Sequence, residues 1–120
     1  MKPGIAIVVL LLPLAASAAD RWVSVAVSTP PIEAQLVNLG SIAVNGNGNR
    51  VATLRVKMKS HQMDILTEFD CGNRQTRALA SSVTDSTGQL IGANGVSNTW
   101  LTEKQSAGIT AVCGASLTSP

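Results

Sequence analysis

The chain has 120 residues, a length that suits one domain. It is 45% hydrophobic and 13% charged, and nine Lys+Arg against seven Asp+Glu leave a net charge of +2. That small surplus argues against a nucleic-acid binder, and the apolar share argues against a disordered chain.

Residues 1–19 read as a secretory signal peptide. Lys2 supplies the positive start, Ile5 to Leu12 the apolar run, and Ala16-Ser17-Ala18 the A-x-A cleavage site. The run is shorter than the ~20 residues that span a bilayer. Residues 20–120 are then a single exported domain, in the periplasm, at the cell surface or secreted, with no stable membrane insertion after cleavage. In an oxidising compartment Cys71 and Cys113 are expected to pair. The alternative is a catalytic or metal-binding thiol, for which the chain offers only His61 and no zinc-ligand spacing.

Along the mature chain, Arg21 to Ser28 alternates Val23, Val25 and Val27 with Trp22, Ser24 and Ala26, which reads as a strand. Pro30 and Pro31 end it, because proline donates no ladder hydrogen bond. Short strands are expected at Gln35–Asn38 and Ser41–Val44. Asn45-Gly46-Asn47-Gly48-Asn49 then reads as a turn, since Asn and Gly tolerate positive φ.

Val51–Lys59 is the clearest strand, with Ala52, Leu54, Val56 and Met58 on one face and Thr53, Arg55, Lys57 and Lys59 on the other. Asp64–Cys71 alternates again. The two strands predict a hairpin closed by a loop over Ser60 to Met63. Its register sets Lys59 opposite Asp64, Arg55 opposite Glu68, Thr53 opposite Asp70, Leu54 opposite Phe69 and Ala52 opposite Cys71. Gln75–Thr84 is a third long strand. Asp85-Ser86-Thr87-Gly88 is a β-turn, Leu90-Ile91 resumes a strand, and Gly92–Thr99 is expected to be loop. Ser106–Val112 suits a short helix with Ser106 near its N-cap, or a strand.

At Asp70-Cys71-Gly72-Asn73-Arg74-Gln75-Thr76-Arg77-Ala78-Leu79 the chain resembles the "DCKNRxYRxLS" segment of the surface-adhesin protein E family of small exported bacterial proteins. Trp22, Gly40-Ser41-Ile42, the Asp85–Ile91 turn region, and Trp100 followed by Ser106 and Cys113 fall in the family's order. Thr76 and Thr84 stand where the family has aromatics, and Lys104-Gln105-Ser106 where it has "PGS". The resemblance implies an antiparallel sheet with a C-terminal helix tethered by a Cys71–Cys113 bridge. It also implies a non-enzymatic exported protein, the best-studied member being an adhesin for host matrix and serum proteins.

His61 reads as an exposed turn residue rather than a catalytic one, because no nucleophile signature accompanies it. Asp64, Glu68 and Asp70 read as cross-strand partners of a basic strand rather than a paired-carboxylate site. No catalytic set, cofactor or metal site is expected. Arg55, Lys57 and Lys59 form the candidate binding stripe, with Arg50, Arg74 and Arg77 near in sequence, for a protein or anionic glycan ligand. The expected fold class is α+β: a mainly antiparallel sheet of about five to six strands with a short C-terminal helix packed on one face. The expected role is an exported binding or envelope-surface protein; the alternative is a periplasmic inhibitor or accessory subunit of an envelope complex.

Overall fold

The computed structural model describes residues 19–117, so the expected signal peptide up to residue 18 lies outside the described residues. The strands are β1 (Trp22–Ser24), β2 (Ile32–Asn38), β3 (Ala43–Val44), β4 (Arg50–Met58), β5 (His61–Asp70), β6 (Gln75–Asp85), β7 (Leu90–Asn94) and β8 (Leu101–Thr102). A 3-10 turn at Leu39–Ser41 follows β2, and one helix, α1 (Ile109–Gly114), follows β8. The strands make one antiparallel sheet in the order β1-β2-β4-β5-β6-β7, with β3 beside β4 and β8 beside β6. The α+β expectation therefore holds.

Several expected boundaries move. The first strand covers only Trp22–Ser24, and β7 extends through Gly92 to Asn94, where loop is expected. The β4–β5 register also differs from the expected one. Arg55 lies opposite Asp64, Leu54 opposite Ile65 and Ala52 opposite Thr67. The connection is Lys59-Ser60 alone, and His61, Gln62 and Met63 join the ladder. The displacement is four residues, an even number, so each side chain keeps its face while its partner changes. The shorter loop adds ladder hydrogen bonds that a longer one leaves unmade.

Two hairpin turns are built alike. In Asn45–Asn49 the Asn45 Oδ1 accepts the backbone N–H groups of Asn47 and Asn49, and Gly48 N–H donates to Asn45 O. In Asp85–Gln89 the Asp85 Oδ1 accepts from Thr87 and Gln89, and Gly88 N–H donates to Asp85 O. Gly48 (φ 79°) and Gly88 (φ 86°) take the left-handed position that this turn requires. These bonds hold the Asp85 carboxyl below its usual range, the Thr87 side chain contributing most.

The core lies at one end of one face. Phe69, Val37 and Ala52 are fully buried beneath Ile109 and Val112 of α1, with Leu54, Val23 and Leu39 packed around them. The helix starts later than the sequence suggests, at Ile109. Ser106 does not cap it: its hydroxyl accepts from Thr76 Oγ1 at 2.8 Å. Gly108 takes the N-cap position at φ 96°, where a Cβ would meet Leu54 Cδ2 at 3.1 Å and Phe69 Cε2 at 3.5 Å. Glycine alone satisfies both the backbone angle and the contact. Gly108→Ala is expected to lower stability by about 2 kcal/mol, read as a lower urea midpoint with an unchanged m-value.

Two clamps hold the C-terminal end of α1 to the sheet, and Arg74, in the turn after β5, donates to Thr110 Oγ1 near the helix start at 3.2 Å. Cys71, just after β5, is disulfide-bonded to Cys113, with the Cα atoms 5.7 Å apart. On β4, one Arg50 guanidinium nitrogen donates to the carbonyls of Val112 (2.6 Å), Ala115 (2.7 Å) and Cys113 (3.3 Å). It satisfies carbonyls that a helix end leaves without partners and places positive charge at the negative end of the helix dipole.

Candidate binding site

The sheet face opposite Phe69 carries the charges, and most are already paired. Arg55 grips Asp64 with two hydrogen bonds, at 2.8 and 3.0 Å, and its guanidinium stacks on Trp22, 3.9 Å from the ring centroid. Both charged groups are half-buried. A second unit repeats the pattern further along β5. Arg77 Nε donates to Glu68 Oε1 at 2.9 Å, and the guanidinium lies 4.9 Å from the Trp100 ring centroid. A one-residue register shift in the β5–β6 ladder, which leaves Leu79 unpaired, brings Arg77 opposite Glu68. Each arginine thus sits between a carboxylate of β5 and a tryptophan from a flanking segment.

Glu68 is only 1% exposed although it points away from the core. The Asn45–Asn49 turn folds over it. Asn45, Asn49 and Asn47 donate side-chain amides to Oε2 at 2.8, 2.9 and 3.4 Å. Asn45 Oδ1 is occupied by the turn's own backbone N–H groups, so its amide nitrogen must face the carboxylate. The Asn49 and Asn45 hydrogen bonds, with Arg77 assisting, outweigh burial and pull the Glu68 pKa down to about 2. No buried side-chain nitrogen or oxygen among the described residues lacks a partner.

The candidate stripe is therefore divided. Arg55 is committed to Asp64 and Trp22. Arg77 is held by Glu68, Arg50 by the helix carbonyls, and Arg74 by Glu103 at 2.9 and 2.6 Å. Lys57 and Lys59 remain exposed and, among the described residues, form no ion pair. They border a cleft of about 310 Å³ between the β4–β5 and β6–β7 turns, together with Ser60, His61, Asp85 and Ser86. His61 is not an exposed turn residue: it opens β5 opposite Asp85 and is half-buried, with Ser60 Oγ 3.1 Å from its Nδ1.

The three carboxylates of β5 have separate duties. Asp64 pairs with Arg55 rather than Lys59, and Glu68 with Arg77 rather than Arg55. Asp70 caps the next turn, accepting from Asn73 N (3.2 Å) and Nδ2 (2.9 Å), which hold its carboxyl below the usual range. Among the described residues no group of three or more His, Cys, Asp or Glu could hold a metal ion, and no helix is long and apolar enough to cross a membrane. Sequence reasoning misses the burial of Glu68. Its signal is the three asparagines spaced two apart around two glycines. A scan of protein-family models, a search of curated proteins and a search of solved structures each found no match to this chain.

Proposed function

We propose that the chain is an exported, non-enzymatic binding protein of the cell envelope or surface, of the kind its resemblance to the surface-adhesin protein E family implies. The A-x-A segment and the Cys71–Cys113 disulfide support export. The observation that carries the binding role is the division among the cations. Arginines of the charged face are consumed in holding the fold, whereas Lys57 and Lys59 stand free beside a cleft at the sheet end remote from α1. Such cations meet a protein or an anionic glycan in a salt-sensitive way. The mature protein is expected to bind immobilised heparin at low salt and to elute as salt rises. Lys57→Ser with Lys59→Ser should weaken binding about tenfold, each lost contact being worth under ~1 kcal/mol. No retention at low salt would sink this reading.

One observation favours the second reading, an accessory subunit of an envelope complex. β7 is an edge strand, and its five residues carry no charge and no proline to discourage pairing with a partner's strand. Protease accessibility on intact cells separates the two: cleavage favours the surface protein, protection the subunit.

A further inference from the structure

Asparagine followed by glycine is the pair most prone to lose its side-chain amide. The glycine nitrogen, with no Cβ beside it, attacks the amide carbon of the residue before it. The sequence holds three such pairs: Asn45-Gly46, Asn47-Gly48 and Asn94-Gly95. The attack needs a side chain free to turn back on the chain and a glycine N–H open to water. The fold withholds one or the other from the first two pairs. Asn45 is pinned at both ends of its amide, Oδ1 by the N–H groups of Asn47 and Asn49, and Nδ2 by Glu68 at 2.8 Å. At Asn47 the amide nitrogen leans on Glu68 at 3.4 Å, and the attacking N–H, that of Gly48, is engaged by Asn45 O at 3.0 Å. Asn94 has neither restraint. It is exposed, at the end of edge strand β7, and its side chain makes no hydrogen bond among the described residues. The Gly95 N–H makes no backbone hydrogen bond there either. Within the described residues β7 pairs with β6 alone, and Gly95 to Trp100 lies outside any strand, so this strand end opens at low cost.

We propose that Asn94 is a site of spontaneous deamidation in the folded protein, and that the fold spares Asn45 and Asn47. Hydroxide takes the Gly95 N–H proton, and the nitrogen bonds to Asn94 Cγ. The Cγ–Nδ2 bond breaks, and the amide nitrogen leaves as ammonia on taking a proton from water, which restores the hydroxide. Water then opens the cyclic imide. Cleavage at Cγ gives aspartate, and cleavage at the backbone carbonyl gives isoaspartate. The sum is amide plus water to carboxylate and ammonium, with no oxidant or reductant. β7 carries no charge as built. Either product sets a carboxylate at its end, and isoaspartate also adds a methylene to the backbone opposite Ser81. A charged edge resists pairing with another strand, so the conversion turns an open edge into a guarded one as the protein ages. The same change at Asn45 or Asn47 would set a carboxylate against Glu68, and the hydrogen bonds that cage Glu68 are the ones that slow it.

The test is incubation of the folded mature protein at mildly alkaline pH, with peptide mapping by mass spectrometry at intervals. A parallel sample in urea gives the rate of each pair without the fold. In urea the three pairs should convert at similar rates. In the folded protein Asn94 should convert at least about tenfold faster than Asn45 or Asn47, because it needs only local opening of a strand end and not release of the Glu68 cage. A more acidic species should grow on anion exchange in step with conversion of the Asn94 peptide. Gly95→Val should slow Asn94 about tenfold by crowding the attacking nitrogen with a branched side chain. Gly95 is exposed, and a Cβ there meets nothing within 4 Å, so the melting transition should be unchanged. The proposal is overturned if Asn94 stays intact while the urea sample converts, if Asn45 or Asn47 keeps pace with Asn94 in the folded protein, or if Gly95→Val leaves the Asn94 rate as it was.

Discussion

Glu68→Gln is expected to lower unfolding free energy by about 3 kcal/mol, measured by urea denaturation at neutral pH. The neutral amide keeps the volume but removes the charge that Arg77 and three asparagine amides address. It leaves the half-buried Arg77 without its counter-charge and sets a second amide N–H group against those of the turn. The Asn45–Asn49 turn should loosen, seen as faster amide exchange at Asn47 and Asn49.

The same residue fixes a pH signature. Its folded pKa, about 2, lies below the ordinary 4.5. A depressed carboxyl stabilises the fold fully above its unfolded pKa and loses that stabilisation as pH falls through the folded one. Stability should therefore decline between about pH 4.5 and 2, and the Glu68→Gln protein should lose much of that slope. Asp70, Asp85 and Glu103 are shifted the same way and supply the remaining slope. An acid limb of equal steepness in both proteins would count against a charged, caged Glu68.

Removing the disulfide, by Cys71→Ser with Cys113→Ser, should cost about 4 kcal/mol in the chain-entropy account of a cross-link that separates its cysteines by 42 residues. The loss should be felt first at α1. A six-residue helix does not persist alone, and without the bridge it is retained by Arg50, by the Arg74–Thr110 hydrogen bond and by the burial of Ile109 and Val112. Hydrogen exchange should show α1 amides opening while β4, β5 and β6 stay protected. An unchanged melting temperature, or simultaneous loss of the sheet and the helix, would contradict this picture.

The long strands are legible because alternation in Val51–Lys59 and Asp64–Cys71 assigns each side chain a face. Register is not, because any even displacement preserves that alternation, and only the loop length distinguishes the choices. Arg55, Lys57 and Lys59 read as one stripe since they share a face, but nothing local announces that Trp22 reaches Arg55. Glu68 has the sequence position of a solvated residue. Its burial depends on a turn far back in the chain folding over it and on a bulge at Leu79 that aligns Arg77. The Cys71–Cys113 pair is legible from compartment logic, whereas Arg50, which reaches the same helix from another strand, carries no signature beyond its charge. The helix start is misplaced because Ser106 is a good cap by composition, while Gly108 is selected by crowding against Phe69 and Leu54.

The order of the sheet also bears on how the chain acquires it. β4, β5 and β6 each pair with the next strand in the chain, and β2 reaches β4 across only a 3-10 turn and β3. Ladders between sequence neighbours need short loop closures, so the ordering entropy is met in small steps rather than one large one. The meander can zip from the β4–β5–β6 hairpins outward at a lower contact order than a sandwich of equal size. β8 returns past β7 to the start of β6, and α1 returns further still, to Arg50 and Cys71, onto a surface that the strands have already formed.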